Sequence, residues 1–236
     1  MMNIQQKING INKDDLAADL NRTGYALVKG LLTAEECDRL IGDYKTESLY
    51  RKTVIMERHQ YGLGEYKYFD YPLPDVIQQL RESIYPLLAP VANNWMKVLN
   101  IEKQFPEQHK ELIEHCHKAG QVKPTPLILQ YGQSGYNALH QDLYGDVFFP
   151  MQAVVLLSEA GSDFTGGEFV LVEQRPRAQS KAMVVNFAKG DLLVFTTNFR
   201  PVQGSRGYHR VNMRHGVSEV TSGSRYTLGV IFHDAK

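Results

Sequence analysis

Residues 125–159 read TPLILQYGQSGYNALHQDLYGDVFFPMQAVVLLSE. Short apolar runs alternate in it with turns rich in Gly, Ser, Asn and Asp, which is typical of consecutive β-strands. The same pattern continues to residue 233 in the runs GGEFVLVEQ, KAMVVNF, GDLLVF, YHRVNMRHGVSEV and RYTLGVIFH. The C-terminal half is therefore predicted to form a β-sandwich or a β-barrel.

The N-terminal half has the patterns of helices instead. Helices are predicted at residues 13–23, 34–44, 75–99 and 107–118, and a strand at residues 25–32. Thr33 and Glu36 have capping-box spacing, and Pro86 and Pro90 interrupt the apolar spacing of the longest helix as kinks or breaks. The resulting fold class is α+β. Residues 1–120 form a mainly helical flank that is integral to the fold, and residues 121–236 form the β core.

Composition narrows the class of protein. The formal net charge is zero, and only two cysteines, Cys37 and Cys116, are present in 236 residues. A disulfide framework of the secreted kind is therefore not expected. The start of the sequence lacks an apolar signal core, and no stretch reaches the roughly 18 apolar residues that span a bilayer. We expect a soluble, cytoplasmic protein without a membrane partner.

Two histidines and one aspartate form a candidate metal site. His140 and Asp142 are two residues apart, so they face the same way near a strand end, and His215 lies in a later predicted strand. Two imidazoles and one carboxylate are the facial triad of non-haem iron(II) oxygenases, which leaves positions at the metal for other ligands. A His-x-Asp tripeptide also arises by chance, so this interpretation depends on the surrounding strands.

Arg225 begins the strand that follows His215 and a Ser-Gly turn. We expect these two strands to pair as a hairpin, which would bring Arg225 into the same barrel as the metal site. A guanidinium binds a carboxylate at two points, and Thr227 lies on the same face as a further donor. The expected hairpin also favours His215 over His209 and His233 as the third metal ligand.

These residues resemble the double-stranded β-helix of the iron(II)- and 2-oxoglutarate-dependent oxygenases, particularly their prolyl-hydroxylase-like branch. The resemblance covers residues 125–235 and includes Tyr131, which lies nine residues before His140, like a 2-oxoglutarate-binding tyrosine of that branch. Residues 166–169 and 190–195 resemble its GGE and GD motifs. The runs LHQDLYGDVFFP, DFTGGEFVLVEQRPRAQS and RHGVSEV are similar to a bacterial subfamily of generic oxygenases.

The resemblance implies a jelly-roll core with the N-terminal helices packed against it, and it places residues 61–69 near the substrate opening. It also implies Fe(II), 2-oxoglutarate as cosubstrate, and O2. The metal ligands would be His140, Asp142 and His215, and the far carboxylate of 2-oxoglutarate would be held by Arg225, Tyr131 and Thr227. Halogenation is not expected, because halogenating relatives lack the carboxylate that Asp142 supplies here.

Three functions remain as alternatives. The first is hydroxylation of a C–H bond in a protein side chain or an amino-acid-like metabolite, with a small molecule or a peptide as substrate. The second is oxidative dealkylation of alkylated nucleic acid, because residues 174–215 contain eight basic residues and one acidic residue. The same segment would also fit a solvated face that pairs with acidic helices. The third is a non-catalytic β-barrel binding protein. Candidate residues of the substrate pocket are Tyr144, Arg206 and Arg210.

Overall fold

The computed structural model describes residues 4–142, 145–175 and 177–236. Its α-helices are α1 (Ile4–Asn9), α2 (Lys13–Thr23), α3 (Ala34–Asp43), α4 (Asp75–Val98) and α5 (His109–Lys118). Two short 3₁₀ helices cover Glu47–Leu49 and Met56–His59. The helices α2 to α5 confirm those expected from the sequence. In the described part of the chain, no helix is both long and apolar enough to cross a membrane.

Local sequence explains where the helices begin and end. The Thr33 hydroxyl accepts a hydrogen bond from the Glu36 amide at 3.2 Å, and the Glu36 carboxylate accepts one from the Thr33 amide at 2.8 Å. This capping box satisfies amides at the start of α3. The helix α2 ends at Gly24, whose φ of 83° lies in the left-handed region that glycine adopts without strain. The helix α4 continues through Pro86 and Pro90.

The strands form two sheets and one separate pair. They are β1 (Tyr25–Val28), β2 (Tyr50–Ile55), β3 (Gly62–Leu63), β4 (Glu65–Phe69), β5 (Leu127–Tyr131), β6 (Tyr136–His140), β7 (Met151–Leu156), β8 (Phe164–Gly166), β9 (Phe169–Gln174), β10 (Lys181–Val185), β11 (Leu192–Thr196), β12 (Phe199–Gly204), β13 (Gly207–Val217), β14 (Val220–Gly223) and β15 (Arg225–Val230). The seven-stranded major sheet has the order β1-β11-β7-β15-β5-β4-β2. The minor sheet has the order β10-β9-β13-β6-β3, with β12 paired to β13, and β14 pairs with β8. Antiparallel sheets with helices beside them confirm the α+β class with a jelly-roll core.

One expectation about these strands is wrong. The sequence analysis paired the strand of His215 with the strand of Arg225 as a hairpin, but β13 belongs to the minor sheet and β15 to the major sheet. The chain between them crosses from one sheet to the other, and β14 pairs with β8 on the way. In the major sheet, β15 lies between β5 and β7. Arg225 therefore faces His215 across the interior of the barrel and not along a shared ladder.

The N-terminal flank also contributes strands. β1, β2 and β4 extend the major sheet, β3 extends the minor sheet, and β4 pairs directly with β5 of the C-terminal half. The sequence analysis found β1 but missed β2 and β4, whose sequences are YRKTVI and EYKYF. These runs mix charged and aromatic residues and lack the aliphatic alternation that indicates a strand.

Two apolar layers hold the sheets in place. Residues of the helices, including Trp95, pack against one face of the major sheet, where Val155 and Leu228 are buried. The other face packs against the minor sheet, and there Phe195 of β11 meets Leu171 of β9. The space between the two sheets is only partly filled by such side chains, and the site described below lies in it.

A buried ion pair attaches the C-terminal segment to α4. Nη2 of Arg81 lies 2.7 Å from Oδ1 of Asp234, and both side chains are fully buried. Nε of Arg81 donates to the Ile231 carbonyl at 2.7 Å, and the Tyr71 hydroxyl donates to Oδ2 of Asp234 at 2.9 Å. Buried charges are stable only when they are paired and hydrogen-bonded in this way. The residues that follow β15 are thus fixed to the longest helix.

Candidate metal and cosubstrate site

The three expected metal ligands lie together at one end of the minor sheet. His140 ends β6, Asp142 follows two residues later, and His215 is the Cα partner of His140 on β13. Nε2 of His140 lies 3.6 Å from Oδ1 of Asp142, and Nε2 of His215 lies 3.4 Å from Oδ2. The ligand atoms of all three residues lie within 4.8 Å of one another. One ion with bonds of about 2.1 Å can reach them all.

The protonation of these residues suits a metal ion. Nδ1 of His140 lies 2.8 Å from the Ala138 carbonyl, so this nitrogen carries the proton and Nε2 presents its lone pair to the site. Burial and the neighbouring His215 lower the pKa of His140. Burial would raise the pKa of Asp142, but contacts with His215, His140 and Gln152 outweigh it and lower the pKa to about 2. Neutral imidazole and an ionised carboxylate are the donors that Fe(II) requires.

Two glutamines hold the triad in position. Nε2 of Gln152 on β7 lies 2.7 Å from Oδ2 of Asp142 and 3.2 Å from Nε2 of His215. Nε2 of Gln141 donates to the carbonyls of Asn198 and Met213 at 2.8 and 2.9 Å. The sequence analysis did not identify Gln152. The available signal was that it is the single polar residue in the apolar run VFFPMQAVVLL, residues 147–157.

The cosubstrate end of the site contains a buried cation. Arg225 is 2% exposed, and its Nε and Nη1 have no hydrogen-bond partner among the residues that the structure describes. Burial lowers the pKa of Arg225 to about 10, so the guanidinium stays charged at neutral pH. A buried charge with free donors is costly unless it binds an anion. A carboxylate of 2-oxoglutarate would satisfy this requirement at two points.

Tyr131 and Thr227 complete this end of the site. Tyr131 is the Cα partner of Arg225, and the guanidinium carbon lies 5.8 Å from the centre of the tyrosine ring. The Tyr131 hydroxyl accepts a hydrogen bond from Nδ2 of Asn137 at 3.2 Å, so its own proton is available to a ligand. Thr227 is buried two residues after Arg225 and faces the same way. The hydroxyl groups can therefore act together with the guanidinium.

A glycine makes room for the guanidinium arm. Gly167 has a φ of +64°, and a Cβ atom there would lie 2.9 Å from Cδ of Arg225 and 2.9 Å from Cγ2 of Val220. The GGE motif thus allows β14 and β15 to approach the strand that ends at Gly166. The sequence analysis assigned this motif to later strands of the core but did not connect it with Arg225.

One cavity of about 520 Å³ joins the two ends of the site. All six residues expected from the sequence line it: His140, Asp142, His215, Arg225, Tyr131 and Thr227. Tyr61, Tyr66 and Tyr68 also line it, in agreement with the expectation that residues 61–69 lie at the opening. The cavity can hold a small dicarboxylate between the triad and Arg225 and leaves its tyrosine-lined part for a substrate.

Two of the other expected pocket residues, Arg206 and Arg210, are absent from the lining of this cavity. Tyr144 lies outside the described residues. Arg206 and Arg210 are exposed on the hairpin of β12 and β13, and the Arg210 guanidinium lies 4.4 Å over the Phe199 ring. Nη2 of Arg210 also lies 3.5 Å from Oδ1 of Asn198, which accepts a hydrogen bond from Nε2 of Gln141 at 2.8 Å. The assignment of Arg206 and Arg210 to the substrate pocket stays a prediction.

Comparison with known proteins gives a family for this site and fold. The model of the Oxygenase-NA family, described as oxygenases catalysing oxidative methylation of damaged DNA, matches residues 64–235. The uncharacterized protein Rv2227 of Mycobacterium tuberculosis is 49% identical over 167 residues, which is 71% of this chain and 72% of that protein.

Solved structures agree in fold at low identity. A prolyl-4-hydroxylase of Pseudomonas putida has a TM-score of 0.56 and 14% identity, covering 95% of this chain and 100% of its own. An oxidoreductase of the 2OG-Fe(II) oxygenase family from Burkholderia pseudomallei has a TM-score of 0.53 and 15% identity. The match covers 96% of this chain and 94% of that protein's chain. A prolyl hydroxylase of Trichoplax adhaerens, in complex with a hypoxia inducible factor peptide, has a TM-score of 0.54 and 13% identity. The match covers 98% of this chain and 92% of that protein's chain. The chain belongs to the Oxygenase-NA family of oxygenases, and its jelly-roll core has the fold of these solved prolyl hydroxylases and of the 2OG-Fe(II) oxygenase.

Proposed function

We propose that this oxygenase oxidises an alkyl C–H bond on a damaged nucleobase and so removes the alkyl group. The aromatic wall of the cavity carries the proposal. Tyr66 and Tyr68 of β4 both line the cavity that holds the triad, with ring centres 5.4 Å apart and ring planes at 89°. A flat base that has left its stack can lie against one such ring. The description of the Oxygenase-NA family names damaged DNA, which supports the same class of substrate.

Each part of the site has a role in this reaction. Bound Fe(II), 2-oxoglutarate and O2 supply an oxidant through decarboxylation of 2-oxoglutarate to succinate and carbon dioxide. His140, Asp142 and His215 would hold the metal, and Gln152 keeps the Asp142 carboxylate in place by donating to it. Arg225 would bind the far carboxylate of 2-oxoglutarate and so orient its other end toward the triad.

Apolar neighbours keep water away from the triad. Phe195 packs against the His215 ring, with the two ring centres 4.8 Å apart. The Phe169 ring is nearly parallel to the His215 ring, with the two centres 6.2 Å apart. Both phenylalanines also line the cavity. A dry wall beside the metal ligands limits side reactions of the oxidant with solvent.

The test is substrate-dependent succinate release with Fe(II), 2-oxoglutarate and O2. An oligonucleotide with an N-methylated base is compared with the unmethylated strand, a peptide and free amino acids. We expect succinate to be released only when the methylated strand is present. Each succinate should be accompanied by one formaldehyde and one restored base. Asp142→Ala is the control and should release none. Succinate release driven by peptides or amino acids, with the methylated strand unchanged, would contradict the nucleic-acid substrate.

A second candidate is hydroxylation of an amino-acid side chain, which the sequence analysis placed first. It is supported by prolyl hydroxylases among the structural neighbours, such as the enzymes from Pseudomonas putida and Trichoplax adhaerens, the latter in complex with a peptide. Hydroxylation of a side chain does not require the aromatic rings of Tyr66 and Tyr68. The same assay separates the candidates, because hydroxylation of a side chain adds one oxygen atom to the substrate and releases no formaldehyde.

A further inference from the structure

A second pocket lies next to the cavity and is basic. It has a volume of about 760 Å³, and its charged lining residues are Arg51, Lys52, Lys123, Lys236 and Asp70. Tyr68 lines both this basic pocket and the cavity of the triad. One aromatic side chain therefore separates the two spaces.

The register of the major sheet places both spaces on the same face. Tyr68 of β4 is the Cα partner of Lys52 of β2, and Tyr66 is the partner of Val54. Directly opposed residues of an antiparallel pair point to the same side of the sheet. Because Tyr66 and Tyr68 face the cavity, Lys52 continues the cavity face to the edge strand. A ligand can thus extend from the cavity onto the basic pocket without turning around the sheet.

Arg51 is held in place within this pocket. Its guanidinium carbon lies 4.6 Å from the centre of the Tyr68 ring, and its Nε donates to the Pro124 carbonyl at 2.9 Å. Stacking on an aromatic ring fixes the plane of a guanidinium. The terminal nitrogens then point away from the backbone contact and can bind a planar or tetrahedral anion.

Three of the four cations in the lining of this pocket form no ion pair with another described residue. In the described part of the chain, no carboxylate forms an ion pair with Arg51, Lys52 or Lys123. Asp70 uses Oδ1 to accept a hydrogen bond from the Tyr71 amide, and Lys236 pairs with Asp146. Three cations without an ion-pair partner, against the single carboxylate of Asp70 in the same lining, favour an anionic ligand.

In the basic segment of residues 174–215, several of the basic residues do form ion pairs. Arg175 and Arg200 both pair with Glu173, and Lys189 pairs with Asp38. Part of the charge that the sequence analysis considered for nucleic acid is thus used within the fold. In the basic pocket, Arg51, Lys52 and Lys123 form no such pair, and Tyr68 connects this pocket with the cavity of the triad.

We propose that Arg51, Lys52 and Lys123 form a phosphate-binding site, which holds the backbone of a nucleic-acid strand next to the nucleotide whose base enters the cavity. This inference rests on the nucleic-acid substrate proposed above. Tyr68 would separate the base from the backbone, with its ring toward the base and Arg51 on the side of the phosphate. Contacts of this kind position a strand without reading its sequence.

The test measures binding of a methylated single-stranded DNA oligonucleotide by fluorescence anisotropy, with enzyme loaded with Fe(II) and 2-oxoglutarate under anaerobic conditions. The double variant R51Q/K52Q removes two charges from the basic pocket. The matched control K97Q/K110Q removes two exposed charges from α4 and α5. A third variant, R206Q/R210Q, removes two charges from the hairpin of β12 and β13. Each protein is titrated at several salt concentrations, and its melting temperature is recorded as a check on folding.

We expect R51Q/K52Q to weaken binding and to lower the slope of log Kd against log salt concentration by about 1.4, because each phosphate contact on a single strand contributes about 0.7. K97Q/K110Q should keep the wild-type slope. An unchanged slope in R51Q/K52Q, or a loss confined to R206Q/R210Q, would overturn the site but leave the nucleic-acid substrate standing. If the wild-type enzyme binds no oligonucleotide and releases succinate with a peptide or an amino acid, the proposed function fails and this site fails with it.

Discussion

Gly167 shows how one residue without a side chain affects the binding of the cosubstrate. Alanine at this position would bring Cβ to 2.9 Å from Cδ of Arg225. The guanidinium must then shift, and a shift of about 1 Å can cost up to about a hundredfold in rate or affinity. We expect Gly167→Ala to raise the KM for 2-oxoglutarate by roughly tenfold or more, with little change in Fe(II) affinity. The measurement is initial-rate kinetics together with an anaerobic metal titration.

Gly161→Ala is the matched control for this prediction. Gly161 also has a positive φ, +89°, but no atom lies within 4 Å of a Cβ built there. Both variants thus introduce a side chain at a strained backbone position, and only Gly167→Ala crowds Arg225. Equal KM values in the two variants would show that backbone strain, and not the contact with Arg225, is responsible.

The chemical types of the residues predicted more of this site than their positions in the sequence did. His140, Asp142 and His215 could be identified because two imidazoles and a carboxylate have few other uses in that combination. Gln152 was not predicted as a site residue, because amide side chains occur in many kinds of site and do not indicate a metal centre. It is nevertheless the one polar residue of its apolar run. The assignment of Arg206 and Arg210 to the substrate pocket stays a prediction, because charge alone does not show on which side of a strand a residue lies.

At the scale of elements, α4 is joined to the C-terminal segment by the ion pair of Arg81 and Asp234. Removing Arg81 takes the guanidinium partner from the buried Asp234 carboxylate, which keeps only its contacts with His117 and Tyr71. We therefore expect Arg81→Met to lower the free energy of unfolding by about 3 kcal/mol. The double variant Arg81→Met/Asp234→Leu should be more stable than Arg81→Met alone, because no buried charge remains unpaired. Urea unfolding of the two single variants and the double variant gives the coupling energy. Strictly additive losses would contradict this account.

The pairing of elements could be predicted only in part from the sequence. The helices have caps and apolar spacing that are local, so their bounds were close to those observed. The pairing of β13 with β15 was wrong because a short connection between two strands does not require a hairpin, and here it links opposite sheets. The strands β2 and β4 pair with each other, and β4 is joined to the sheet by β5, which lies far away in the sequence. Their own residues do not indicate a strand.

At the scale of the whole molecule, a buried histidine makes stability depend on pH. Nε2 of His109 lies 2.8 Å from the Phe232 carbonyl, and burial, with the charge of Arg81, lowers the pKa of His109 to about 3. The unfolded chain therefore takes up a proton first when the pH falls below about 6.5. The stability that His109 provides is complete above that pH and is lost as the pH falls toward 3.

We expect this histidine to account for a loss of about 2 kcal/mol between pH 7.5 and pH 5, at about 1.4 kcal/mol for each pH unit below 6.5. His109→Gln keeps a side-chain donor for the Phe232 carbonyl and cannot titrate, so its loss over the same range should be smaller by that amount. His209→Gln, at an exposed position of β13, is the control. Urea unfolding at the two pH values checks this. Identical losses in the wild type and His109→Gln would refute the prediction.

The place of β15 in the major sheet also affects how the chain is made. β5 and β7 are synthesised long before residues 225–230, yet each must leave one edge open for β15. During translation the emerging polypeptide thus exposes two unpaired strand edges, which are sites of mispairing and aggregation. Ribosome-bound chains that stop before Arg225 should depend on chaperones. The residue expected to bind 2-oxoglutarate begins the strand that closes the sheet, so ligand binding and completion of the fold depend on the same short segment.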